Sequence, residues 1–513
     1  MRYLFLALLL VLWPAVAEAR WREASSRHFV IYSEGSESEL RTFAEQLERF
    51  DGALRVQLGR SDPDRSPASR LTIYVFPRLE RLQWFLGNSN VAGIYYPRAS
   101  GSMSFTHAGR GQGRNAREGT LDPRIVLFHE YTHHFMFSNF SFGAPLWFSE
   151  GYPEFWSTTD FNPDGSVNFG KPGTHRSNEL TELARIPVQT LVNLRHPVRD
   201  QQTYAAIYGR GWILAHYLSF EPSRAGQLNA YLRALGTGQS PEEAARAFGD
   251  LAALDRELQS YLTRTSFSYA TIPAARVTPG PIQIRELGPG EEAIMEIRMR
   301  SKRGVNEEQA RELVAPARRV GERFPNDAAV QVILAEVEYD VGNWTEAEAA
   351  ADRAIAADPN MVDAHLFRAR ALWGRLAANN DRTPERWREV RQRIGAANRL
   401  DPDDPEPLVA FFESYAAAGQ RPTANAIEGL FLAQAAARED RSLRITAARQ
   451  LMMQGNAARA RSMLSPLAGD SHAGPLSQVI AAVLAALDAG NASAALAALD
   501  AGLSAQAQAR GSR

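Results

Sequence analysis

The chain has 513 residues, 57 Lys and Arg against 58 Asp and Glu, a formal net charge of −1, and no cysteine. That length is enough for about three domains. The charge balance excludes an electrostatic footprint for nucleic acid, and the missing cysteines exclude disulfides, thiolate metal sites and cysteine lipidation.

Met1-Arg2, an apolar run from Tyr3 to Trp13 and the small-residue stretch Ala15-Val16-Ala17-Glu18-Ala19 have the pattern of a secretory signal peptide cut after Ala19. The run is too short to span a bilayer comfortably. A periplasmic or secreted protein with no transmembrane segment in its mature chain is expected. Residues 27 to 33 then read as a strand, followed by an amphipathic helix through Leu40, Phe43, Leu47 and Phe50. Residues 71 to 76 read as a second strand, 79 to 86 as a helix, and 92 to 105 as a hairpin turning around Pro97 to Ser100. The segment 107 to 120 is rich in Gly and Arg. It lacks the Lys-Ser/Thr of a phosphate loop and reads as a surface loop, or alternatively as a flap over a cleft.

Asp122 and Pro123 are an N-cap and first residue for a helix that carries His129-Glu130-Tyr131-Thr132-His133, the HExxH pattern. On a helix His129 and His133 share one face, so two imidazoles can meet one metal ion, and Glu130 lies about 100° further round. The alternative is a helix with two surface histidines. Against it, the helix is apolar nearly all round, with Val126, Leu127, Phe128, Phe135, Met136 and Phe137, so its polar residues need partners. A second acidic segment follows at residues 145 to 156, where Glu150 and Glu154 are again one turn apart. Catalytic zinc takes three protein ligands and keeps one open site, and Glu150 would complete a His-His-Glu set.

His-Glu-Tyr-Thr-His followed by Trp-Phe-Ser-Glu-Gly-x-x-Glu-Phe resembles the gluzincin metallopeptidases, specifically the peptidase MA-like domains, over about residues 25 to 265. The resemblance implies an α+β zincin-like fold in which His129, His133 and Glu150 bind Zn2+. It implies Glu130 as the general base, taking a proton from metal-activated water, and Glu154 as the carboxylate that orients a ligand histidine. In that family the edge of a small sheet receives the substrate backbone, and here the edge is expected near Met103 to Thr106. Two departures stand out: the gap from His133 to Glu150 is shorter than in the aminopeptidases, and Pro153 stands where Ala is usual. Residues 203 to 212 are similar to the Tyr-x-x-(Ser/Gly)-Trp element of the same domains. Tyr208, with Tyr204 one turn away, is the candidate oxyanion donor, or alternatively a core tyrosine. His134 and His216 are expected to be packing or supporting groups rather than ligands, and His107 could approach the metal but reads first as a solvated loop histidine.

Ser240-Pro241-Glu242-Glu243 is a capping box. Prolines between residues 266 and 304 mark an expected linker with short β-prone runs. Beyond residue 305, Ala335, Gly342, Ala347, Ala354 and Asp358-Pro359 stand at the spacing of a tetratricopeptide (TPR) repeat. Gly419, Gly455 and Gly490 recur about 35 residues apart. This resembles an all-α TPR-like solenoid of four to five helical hairpins over 305 to 506, with a frayed tail at 507 to 513. The combined expectation is an exported zinc metallopeptidase hydrolysing peptide or protein substrates, with a partner-binding or substrate-binding scaffold. The alternative is a non-catalytic interaction protein of the cell envelope.

Overall fold

The computed structural model describes residues 20–63, 66–109, 122–176, 180, 185–194, 198, 200–470 and 474–511. The expected signal peptide and most of the Gly/Arg-rich segment lie outside them. Strands β1 (Arg22–Ser25), β2 (Phe29–Ser33), β3 (Leu71–Phe76), β4 (Ile94–Tyr96) and β5 (Met103–His107) belong to a six-stranded mixed sheet. Strands β6 (Asp160–Phe161), β7 (Val167–Phe169) and β8 (Ala270–Ile272) make a small antiparallel one. The last strand, β9 (Gln283–Glu286), returns to the larger sheet, whose order is β4-β5-β3-β2-β1-β9. Pairing is parallel between β2 and β3 and between β3 and β5, and antiparallel elsewhere.

The β4–β5 hairpin forms at the expected place, and β4 is the edge. The expectation of an edge near Met103 to Thr106 is therefore corrected: β5 lies between β4 and β3, because the hairpin doubles back over it.

Helix α1 (Glu37–Leu58) opens with the capping box of Ser36 and Glu39 and packs Leu40, Leu47 and Phe50 into the core. After α2 (Leu79–Leu86) come the two helices that carry the acidic and histidine motifs, α3 (Pro123–Asn139) and α4 (Leu146–Ser157). Asp122 caps α3 by accepting from the Arg124 amide, with Pro123 at the first helical position. Phe128 on α3 stacks on Phe50 of α1 with centroids 4.3 Å apart. From the same back face Tyr131 donates to Asp51 at 2.7 Å. Pro153 sits inside α4, which runs through it.

Helix α5 (Gln201–Phe220) crosses α4 where two glycines meet. A Cβ on Gly151 would fall 2.2 Å from the Gly211 carbonyl carbon, and one on Gly211 would fall 2.5 Å from the Trp147 oxygen. Two further helices, α6 (Gln227–Gly236) and α7 (Leu251–Leu262), complete this side.

The segment 266 to 304 is not a linker. It supplies β8 and β9 to the two sheets, β9 pairing with β1 from Arg22–Glu286 to Ser25–Gln283, and then forms α8 (Pro289–Arg303). Composition alone could not reveal a pairing partner some 260 residues upstream.

After α9 (Glu307–Arg323), five antiparallel hairpins follow: α10 (Ala328–Asp340) with α11 (Trp344–Ala357), α12 (Val362–Ala378) with α13 (Pro384–Leu400), α14 (Pro405–Ala417) with α15 (Ala424–Ala436), α16 (Arg441–Met453) with α17 (Ala457–Leu464), and α18 (Leu476–Asp488) with α19 (Ala492–Gly511). Four turn glycines, Gly342, Gly419, Gly455 and Gly490, adopt positive φ of 79°, 68°, 76° and 73°, as a left-handed helix exit requires. Asn380 does the same at φ 53° in the remaining hairpin. The C-terminal part is thus an all-α helical-hairpin array. Its last helix is assigned from Ala492 to Gly511, and the last two residues of the expected frayed tail lie outside the described residues. Among the described residues, no helix is long and apolar enough to cross a membrane.

The array is fastened to the α+β part along its length. Ser66 bonds Asp401 at 2.5 Å, the Ala99 amide donates to Asp440 at 2.7 Å, Ser102 and Ser138 donate to Glu439 at 3.2 and 3.3 Å, and Arg444 donates to the Phe137 carbonyl at 3.3 Å.

Candidate metal centre

Helices α3 and α4 turn their polar faces toward each other in an otherwise apolar core. The ligand-capable atoms of His129, His133 and Glu150 all lie within 4.8 Å of one another. His129 Nε2 is 3.0 Å from His133 Nε2, and Glu150 Oε2 is 3.4 and 3.7 Å from those two nitrogens. Ligand atoms about 2.0–2.1 Å from a tetrahedral zinc are about 3.3 Å from each other. The triad thus has the spacing, donor types and number of a zinc site with one position left over. All three residues are buried, Glu150 completely.

Glu154, one turn beyond Glu150, lies against one of the histidines. Its Oε1 is 2.9 Å from His129 Nδ1, which leaves Nε2 facing His133 and Glu150. Two residues that sequence reasoning missed hold Glu154 in turn: His175 at 2.9 Å and Arg176 at 2.6 Å. Burial alone would raise the Glu154 carboxyl, but His129, His175 and Arg176 outweigh it and hold the pKa well below the ordinary range. Burial likewise opposes charge on His129, yet Glu150 and Glu154 push its pKa up to about 10. A metal ion binding there must displace that proton. No motif announces His175 and Arg176, which stand in a short 3-10 turn after β7.

Glu130 is half-buried beside the triad. It contributes to the electrostatic surroundings of Tyr95 on β4, Tyr204 on α5 and Arg441 of the helical array. Tyr208 stacks on the His129 ring at 5.9 Å with an interplanar angle of 23°, and its hydroxyl bonds that of Tyr204 at 3.5 Å. Arg176 covers the Tyr208 ring with its guanidinium carbon 4.7 Å from the centroid. Burial first, and then the Glu150 charge, push the Tyr208 phenol far above its ordinary value, while Tyr204 rises to about 12. Both stay protonated, the state a hydrogen-bond donor to an oxyanion needs.

The other histidines are occupied elsewhere. His134 meets the Tyr95 hydroxyl through Nδ1 at 2.7 Å. His216 donates from Nε2 toward the Gly170 and Ser268 carbonyls and accepts from Tyr261 at 3.0 Å; burial depresses its pKa to about 4. His107 ends β5 and accepts from the Gly109 amide at 3.2 Å.

No family model and no curated protein matches the chain. Among the solved structures similar to part of it are the following two. One is a thermophilic TPR protein of Thermus thermophilus, with 16% identity, 40% of this chain and 99% of that one covered, and a TM-score of 0.31. The other is pilF of Pseudomonas aeruginosa, with 17% identity, 41% and 90% covered, and the same TM-score of 0.31.

Proposed function

We propose that the chain is an exported zinc-dependent metallopeptidase with a zincin-like catalytic part. The observation that carries this reading is the convergence of His129, His133 and Glu150 within 4.8 Å, with Glu130 alongside on the same helix. Zinc held by those three residues would supply Lewis acidity to a water and to the scissile carbonyl.

The chain's own residues divide the remaining work. Glu154 fixes the His129 ring. Glu130 would take the proton of the attacking water and return it to the leaving amine. Tyr208, with Tyr204 beside it, offers phenolic donors for the oxyanion. The outer edge of β4, which pairs with no further strand among the described residues, would offer backbone groups to an extended peptide.

A second reading is a non-catalytic interaction protein of the cell envelope, with the helical array holding a protein partner. Among the described residues, three exposed large apolar side chains on the array favour it, Leu400 at 38%, Leu432 at 54% and Met453 at 58% exposure. Neither similar structure speaks for catalysis. One experiment separates the readings: metal analysis of the purified protein, together with cleavage of an unbiased peptide library with and without chelator. The peptidase reading requires near-stoichiometric zinc and chelator-sensitive cleavage. A fully zinc-loaded protein that cleaves nothing would hand the function to the interaction reading.

A further inference from the structure

One arginine of the helical array lies against the helix that carries the two histidines. Arg441 opens α16 and lies over the Phe137 ring, 5.6 Å from the centroid, one turn past His133 on α3. Its Nε and Nη2 hold the two oxygens of Asp470, the Nη2–Oδ1 distance being 3.1 Å. The Asp470 side chain is fully buried. It shares a small cavity of about 30 Å³ with His133 and with Ser149, the residue before Glu150. Besides Asp470, the groups that set the field around Arg441 include Tyr95 on β4 and the candidate base Glu130.

A buried ion pair of this kind is weak evidence for stability, since apolar residues of the same volume often do as well. Its geometry has a different use. With one edge of the planar guanidinium on Asp470, the Nη1 corner makes no hydrogen bond among the described residues. That corner retains donors that suit a second carboxylate. The neighbouring cation, Arg176, is bound to Glu154, and the tyrosines offer only neutral donors.

We propose that Arg441, anchored by Asp470, is a specificity residue lent to the cleft by the helical array. It binds a substrate carboxylate close to the scissile bond, either an acidic side chain or a free C-terminus. This rests on the peptidase reading for the word substrate, but its test does not require turnover.

The test uses zinc-loaded full-length protein carrying Glu130→Gln, and calorimetric binding of three probes. These are acetyl-pentaalanine as the free acid, the same peptide as its amide, and a set of the amides with one Ala replaced by Glu. A charge-assisted contact predicts that the acid, or one Glu-amide, binds at least ~10-fold tighter than the neutral amide. Tighter binding of the free acid assigns the C-terminus, and tighter binding of a Glu-amide assigns the side chain. Arg441→Gln alone would strand the Asp470 charge. The informative variant is therefore Arg441→Gln with Asp470→Asn, which removes both charges and keeps the hydrogen-bonding shapes. It should abolish the preference while leaving zinc content and melting temperature unchanged. Equal binding of all probes, or a preference that survives the double variant, overturns the proposal. If preference is found but wild type cleaves no peptide, the peptidase reading fails and the carboxylate site stands. If wild type cleaves without preference, the reverse holds.

Discussion

Glu154 links the candidate metal triad to its surroundings, with His129 on one oxygen and His175 on the other. Glu154→Gln keeps the shape but loses the charge that holds His129 in register. Metal-competition titration should show zinc affinity falling by roughly 10- to 100-fold, as for other carboxylates that orient a ligand histidine. Unchanged affinity would mean that His129 is held by packing alone. A second residue acts on stability. His28 sits against Glu48 at 2.7 Å, Asp62 at 3.0 Å and Asp51 at 3.6 Å. Burial opposes its charge, but Asp51, Glu48 and Asp62 outweigh burial and raise its pKa to about 9. An unfolded histidine titrates near 6.5, so the charged ring stabilises in full below about pH 6.5. That contribution, at most on the order of 3 kcal/mol, is lost as pH rises through about 9. On the acid side, Glu48 and Asp62 have lowered pKa values, so the network also weakens as they protonate. Denaturant midpoints measured from pH 6 to 10 should fall in wild type and stay flatter in His28→Gln. Parallel slopes would contradict this assignment. Because Asp51 also accepts from Tyr131, this network braces the back of the helix that carries the two histidines.

Among the elements, α4 and α5 approach more closely than any side chain permits, and the approach depends on Gly151 and Gly211. Gly211→Ala would place a methyl 2.5 Å from the Trp147 carbonyl oxygen. Overpacking a tight crossing typically costs about 1–3 kcal/mol or more. The same shift would displace Glu150, so melting temperature and zinc content should fall together. Gly395, inside α13, is the control: the nearest atom to an added Cβ is the flexible Arg399 tip at 3.5 Å. Gly395→Ala should instead stabilise by roughly 0.5–1 kcal/mol. A neutral Gly211→Ala would show that the crossing is looser than described. Much at this scale was legible in the sequence. The i, i+4 spacing of His129 and His133, and of Glu150 and Glu154, prescribes shared helix faces, and Asp122-Pro123 marks a helix start. The Gly–Gly crossing was not legible, because it depends on which two helices meet. The edge position of β4 and the role of the 266 to 304 segment depend on strand order, which no local pattern encodes.

At the scale of the whole molecule, the helical array packs against the α+β part, and residues of both line a small cavity beside His133. The array's hairpins could be read from their recurring glycines and small residues, whose left-handed turns stand where the spacing put them. What could not be read is where the array docks. The bonds from Ala99 to Asp440 and from Ser102 to Glu439 join residues more than 330 positions apart, as single polar contacts without a sequence signature. The proposed central activity is metal-dependent peptide hydrolysis with Glu130 as its base. The most direct measurement compares wild type and Glu130→Gln for zinc content and peptide-library hydrolysis side by side. Glutamine keeps the size of the side chain but cannot accept the proton. Zinc content should match, while hydrolysis should fall by at least the ~10² to 10⁴ that general acid–base catalysis contributes. Wild-type turnover in Glu130→Gln would contradict the account.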